Sequence, residues 1–295
     1  MFKGSMTALV TPFRNGAVDM NALDDLVERQ IAQGTHALVI CGTTGESPVL
    51  TPDEHAAIVE RCIAVVKGRV PVISGTGSNC TAKTIEMTQH AKNAGADAAL
   101  IVAPYYNKPT QEGLYAHYRT VANAVDIPII LYNIPGRSVV DIKNETMMRL
   151  AKIPNIIGVK DATSDLTRPA QVRETIGADF IQLSGEDATV IDFLAAGGHG
   201  CISVTSNVAP ELCAQMHNAW IAGDKDTART INDKLMPLHN AMFCETSPAP
   251  AKYALSKLGL CTDEMRLPLV SASPFARKEV DVAMNNVKTE TRKVA

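Results

Sequence analysis

Lys160 ends the run Ile156-Ile-Gly-Val-Lys-Asp161, a short β-branched segment of the kind that forms a covered strand. A lysine there offers amine chemistry. With an ordinary pKa of about 10.4, only about one exposed lysine in a few thousand is neutral at pH 7. Burial disfavours the charged form, so a lysine drawn into an interior gains nucleophilic fraction. A neutral amine adds to a ketone, and loss of water leaves an iminium, an electron sink that makes an enamine accessible. On a period-two strand Lys160 shares a face with Ile156 and Gly158, while Ile157 and Val159 face the other way. Gly158 would leave room for the long side chain. The plainer alternative is a lysine snorkelling at a strand end or paired with Asp161.

Three further groups fit such chemistry. Tyr132 shares a face with Ile130, and its hydroxyl can shuttle protons if another hydroxyl, such as that of Thr43, joins it in a relay. Arg137 follows the turn Ile134-Pro-Gly136, and its fork suits a carboxylate. Gly42-Thr-Thr-Gly45 can aim backbone N–H groups and the hydroxyls of Thr43 and Thr44 at a second carboxylate. Taken singly, these are also readable as a core tyrosine, a surface arginine and an ordinary turn.

The elements that must position these groups are short. Apolar runs at Met6–Thr11, Ala37–Thr43, Pro71–Gly77, Ala98–Tyr105, Ile127–Ile134, Ile156–Ala162, Phe180–Gly185 and Cys201–Thr205 read as parallel strands covered on both faces. Helical stretches lie between them, opened by Thr51-Pro-Asp-Glu54, Thr81, Thr110 and Asp165 and closed near Gly34, Gly68, Gly95 and Gly177. Eight strand–helix units point to an α/β fold, a (β/α)8 TIM barrel over residues 1–223, with a helical extension over 224–295. A doubly wound open sheet is the rival. In a barrel the chemistry gathers at the C-terminal ends of the strands, and Thr43, Thr44, Tyr105, Tyr106, Tyr132, Arg137 and Lys160 all fall at such ends.

Composition narrows the classes. The 295 residues are 46% hydrophobic, enough for a large core, and the net charge of −3 gives no broad field for nucleic acid or a membrane surface. Seven scattered cysteines without CxxC spacing suit reduced thiols in a cytoplasmic protein. The start MFKGSMTALVTPF does not read as a secretory signal. Neither a dinucleotide fingerprint nor a P-loop occurs, and the seven histidines lack HExxH spacing, so no cofactor and no metal is expected. Gly197-Gly-His-Gly200 reads as a tight helix-to-strand connection rather than a phosphate loop.

The motifs Gly42-Thr-Thr-Gly-Glu-Ser47, Pro104-Tyr-Tyr-Asn107, Tyr132-Asn-Ile-Pro-Gly-Arg137 and Gly158-Val-Lys-Asp161 occur in an order that resembles the 4-hydroxy-tetrahydrodipicolinate synthase (dihydrodipicolinate synthase) family, of the N-acetylneuraminate lyase-like class I aldolases. The likeness runs from the opening through Gln111-Glu-Gly-Leu-Tyr115 and Gly198-His-Gly200 to Met236-Pro-Leu-His239. It implies that Lys160 forms a Schiff base with pyruvate, and that Thr43, Tyr132 and Tyr106 form a proton relay, with Tyr106 supplied by a neighbouring subunit. Thr44 would hold the pyruvate carboxylate and Arg137 that of L-aspartate 4-semialdehyde, with the Ile202 backbone near the lysine. The implied product, (4S)-4-hydroxy-2,3,4,5-tetrahydrodipicolinate, feeds the diaminopimelate route to lysine. The implied assembly is a homotetramer built as a dimer of dimers.

Arg137 speaks against the similar N-acetylneuraminate lyases, which share the lysine and the YNIP turn but typically lack this arginine. Other pyruvate-dependent sugar-acid aldolases are the alternative within the superfamily, and a barrel that binds a 2-oxo acid without turnover is the alternative outside it. The feedback site of lysine-sensitive members would here include Ser47, His55, Asn79 and Tyr105. Lys83 stands where such members often present a glutamate, and Pro52 where some have histidine. Like charge facing the ligand's ammonium implies weak or absent inhibition by lysine.

Overall fold

A computed structural model describes residues 2–287; Met1 and residues 288–295, the end of the expected helical extension, lie outside the described residues. Parallel strands Gly4–Ala8 (β1), Ala37–Ile40 (β4), Val72–Gly75 (β5), Ala98–Val102 (β6), Ile129–Asn133 (β7), Ile156–Asp161 (β8), Ile181–Ser184 (β9) and Gly200–Ser203 (β10) close into a barrel. Pairing of β1 with both β4 and β10 excludes the open sheet. A two-stranded hairpin, Phe13–Arg14 (β2) and Ala17–Val18 (β3), follows β1. All eight expected strands form. Several end sooner than their apolar runs, because residues such as Cys41–Thr43 and Ala103–Tyr105 leave the ladder to build the rim.

Helices Met20–Ala32 (α1), Pro52–Val66 (α2), Thr81–Ala94 (α3), Gln111–Ala124 (α4), Pro135–Ser138 (α5), Asn144–Leu150 (α6), Arg168–Thr175 (α7), Val190–Ala195 (α8) and Pro210–Ile221 (α9) surround the strands. Thr51 caps α2 as expected, and with Glu54 it closes a capping box, its hydroxyl accepting from Glu54 N and Glu54 accepting from Thr51 N. Thr110 caps α4 on one side only, its hydroxyl accepting from Gly113 N. Thr81 does not cap α3; Cys80 occupies that position, and the Thr81 hydroxyl bonds His117 Nδ1 at 2.9 Å. The Gly197–Gly200 segment is a tight connection. A side chain at Gly198 would strike the Phe193 ring, one at Gly200 the Gly4 backbone, and His199 Nδ1 accepts from Gln182 N.

Beyond Asp224 come Lys225–Ala241 (α10), Ala249–Lys257 (α11) and Pro274–Val287 (α12). One apolar cluster from Val190 to Val287 runs across Gly223, so these helices bury their stripes against α8 and α9. None of the described helices is long and apolar enough to cross a membrane.

Burial without charge makes the fold acid-sensitive. Burial pushes His217 down to about 3 and His117 to about 4, below the ordinary histidine value of about 6.5. The unfolded chain therefore takes up these protons first, so their contribution is complete above about pH 6.5 and drains away as pH falls towards the folded values. Glu54, held to about 2 by the Arg266 guanidinium, adds a loss that begins only near pH 4.5. The thermal midpoint is expected to fall steadily from pH 7 to pH 4, and His217→Gln to flatten that slope; a midpoint that stays level over this range contradicts the assignment.

Candidate active site

The barrel interior is filled by Met6, Ala37, Val39, Ile73, Leu100, Ile130, Tyr132, Leu183 and Ile202. Tyr132 therefore faces inward, and its register partner on β8 is Lys160. The lysine is 6% exposed and its Nζ stands 4.4 Å from the centroid of the Tyr132 ring. Among the described residues it has no carboxylate partner. Asp161 points to the opposite face, 3.0 Å from Arg168 Nε, and also accepts from Thr163. The alternative in which Asp161 neutralises Lys160 is thus removed.

Two local expectations for this strand need correction. A bulge opposite Ile129 and Ile130 inserts one residue, so Ile156 packs in the outer layer and Ile157 against the lumen, the reverse of strict alternation. Gly158 is required by the close approach of β9, since a Cβ there would lie 2.4 Å from Ile181 O. The glycine beside the lysine is Gly185, where a Cβ would meet Lys160 Cε at 3.1 Å.

Thr43, Tyr132 and Arg137 line one cavity of about 730 Å³ at the C-terminal rim. The Thr43 and Tyr132 hydroxyls make no direct hydrogen bond to each other, so a relay between them needs a bridging group. Thr44 is buried and does not line this cavity, and Ile202 is fully enclosed, paired in register with Met6 on β1. Arg137 sits on the one-turn α5; the guanidinium donates to Ser247 O at 3.4 Å and is otherwise open. Tyr106 stands apart, 88% exposed at φ +71°, a conformation unusual for a bulky residue. The same cavity extends between α2 and α3, where Ser47, Pro52, His55, Lys83 and Tyr105 line it. Asn79 is not in that lining, and its carbonyl accepts the Asn107 amide.

A sequence model of the dihydrodipicolinate synthetase family matches residues 1–287. The chain belongs to that family. It is 61% identical over 289 residues to the 4-hydroxy-tetrahydrodipicolinate synthase of Rhodospirillum centenum, covering 98% of this chain and 99% of the relative. It is 60% identical to that of Parvibaculum lavamentivorans, covering 97% and 98%. Among solved structures, the chloride-inhibited dihydrodipicolinate synthase from Acinetobacter baumannii, complexed with pyruvate, superposes with a TM-score of 0.96 at 45% identity, covering 98% of this chain and all of the other.

Within this dihydrodipicolinate synthetase barrel, two features, one beside the lysine and one behind the Thr43–Thr44 turn, escape a motif-by-motif reading. Glu186 follows β9; burial and the neighbouring Asp187 raise its carboxyl, against the pull of Lys160 and Arg137. The strand-end rule that singled out Lys160 applies equally to Ser184-Gly-Glu-Asp187 and could have found it. The second is the buried pair of Glu46 and Lys252, with Nζ 2.7 Å from Oε1 and both side chains fully enclosed. No local signal joins residues 206 positions apart.

Proposed function

We propose that the protein is a Schiff-base lyase that condenses pyruvate with L-aspartate 4-semialdehyde, giving (4S)-4-hydroxy-2,3,4,5-tetrahydrodipicolinate for lysine biosynthesis by the diaminopimelate route. The observation that carries this reading is Lys160, enclosed in the barrel without a carboxylate partner and stacked on Tyr132. Lys160 Nζ adds to C2 of pyruvate and water leaves, forming the iminium. Loss of a C3 proton gives the enamine, which attacks the aldehyde carbon. The amino group of the adduct then adds to C2, displaces Lys160 and closes the ring.

Tyr132 carries the protons of these steps with Thr43, and Tyr106 from a neighbouring copy completes the relay. Exposure of Tyr106 in a strained conformation supports a role outside its own chain. We infer a homotetramer, a dimer of dimers, acting in the cytoplasm, where seven unpaired cysteines suit a reducing medium. Thr44 and the Ile202 backbone hold the pyruvate end, and Arg137 the carboxylate of the aldehyde. As a domain division we propose a catalytic barrel over residues 1–223 and an extension over 224–295, whose described helices run to Val287.

The test offers the pyruvate-loaded enzyme either aspartate semialdehyde or N-acetylmannosamine. Turnover with the first and none with the second is expected. Arg137→Ala should raise KM for the semialdehyde about 10–100-fold, the worth of a lost charge-assisted contact, while pyruvate capture persists. Preference for the sugar, or an Arg137→Ala enzyme with unchanged KM, overturns the assignment.

A further inference from the structure

The turn that carries Thr43 and Thr44 is held from behind by the C-terminal helices. Glu46 lies in the left-handed region at φ +55°, and its N–H donates to Thr43 O. Its carboxylate points away from the cavity lining and is fully enclosed. Lys252 on α11 donates to Oε1 at 2.7 Å, and Arg266 N reaches Oε2 at 3.3 Å. Both cations also face Phe13, the Lys252 ammonium 4.2 Å and the Arg266 guanidinium 4.4 Å from the ring centroid. Arg266 then ties the far side of the turn, donating to Val49 O and to both oxygens of Glu54.

We propose that Lys252 and Arg266 are positioning residues for the 2-oxo acid: Lys252 through the Glu46 carboxylate, and the Arg266 guanidinium through Val49 O and Glu54, fix the turn 42–46 so that Thr43 and Thr44 present a preformed cradle for its carboxylate. This rests on the reading that Thr44 holds that carboxylate. The physical reason is that Glu46 cannot stay charged and enclosed without its ammonium. Without Lys252 the side chain must swing to water or take up a proton. Either change releases a residue already held in a sparsely populated backbone region, and the hydroxyls one turn back lose their aim. An apolar side chain at position 46 would fill the space but could not be drawn towards α11, so the link is more than packing.

Three enzymes test this by steady-state kinetics and thermal melting: Lys252→Met, Glu46→Met/Lys252→Met, and Arg266→Ala at a half-buried site. Lys252→Met is expected to melt lower and to raise KM for pyruvate about tenfold or more, with KM for the aldehyde moved less than about threefold. The double variant should regain much of the melting temperature, because a matched apolar pair replaces the charges, yet keep the raised pyruvate KM. Arg266→Ala should shift pyruvate KM in the same sense by about three- to tenfold. Recovery of pyruvate KM together with the melting temperature in the double variant makes the pair merely structural and overturns the proposal. So does an unchanged pyruvate KM in Arg266→Ala, which decides the matter should the other variants not fold. A wild-type chain that captures no pyruvate on Lys160 removes the catalytic reading and this proposal together; normal capture with unmoved KM values removes the proposal alone.

Discussion

Lys160→Ala is expected to lower kcat by roughly four orders of magnitude or more, with the melting temperature nearly unchanged or higher. A factor of 10⁴ corresponds to about 5.5 kcal/mol of barrier. The loss is that large because the amine is the sole electron sink: without an iminium at C2, the C3 proton of pyruvate has no accessible carbanion to leave behind. No other described lysine shares its place in the lumen beside Tyr132. Stability should not suffer, since the side chain has no carboxylate partner to lose and its polar end is enclosed at a desolvation cost. Lys160→Arg keeps charge but not nucleophilicity and should be equally dead. Steady-state assays beside thermal melts decide this; retention of a tenth of wild-type turnover in either variant contradicts it.

Tyr132→Phe is expected to lower kcat about 10²–10⁴-fold while leaving the ring in place over Lys160. The hydroxyl is the group lost, and in the proposed mechanism it would supply positioned proton transfer at three points: departure of water, enamine formation and protonation of the new alkoxide. Because the hydroxyls of Tyr132 and Thr43 do not touch in the isolated chain, the relay closes only when substrate, water or the hydroxyl of a neighbouring copy bridges them. Iminium formation should slow, but its end point at saturating pyruvate should match wild type. Single-turnover measurements separate the two, and a phenylalanine enzyme with full kcat removes Tyr132 from the relay.

The barrel was legible because its strands are short continuous apolar runs between capped helices, and closure follows from eight such units. Lys160 by itself reads equally as a snorkelling or Asp161-paired lysine, and it was legible because Thr43, Tyr132 and Arg137 fall at the same strand ends in the order of the family's motifs. The rest depended on contacts that no local pattern encodes. One inserted residue at Ile157 reversed the faces of Ile156 and Ile157 while leaving Lys160 inward, so alternation counted back from the lysine failed beyond the bulge. Gly158 and Gly185 each serve a neighbouring strand, and which one yields to the lysine depends on the β8–β9 approach. Likewise Glu46 looked like one more polar letter in Gly42-Thr-Thr-Gly-Glu-Ser47, and only the folded chain brings Lys252 to it.

The most direct measurement reduces the wild-type protein with borohydride, with and without pyruvate, and maps the modified peptide by mass spectrometry. The expected result is one reduced pyruvate per chain on the peptide containing Lys160, formed only when pyruvate is present and abolishing turnover in step with its appearance. A label on Lys83 or Lys252 instead, or no label while turnover is lost or persists, contradicts covalent capture at this lysine.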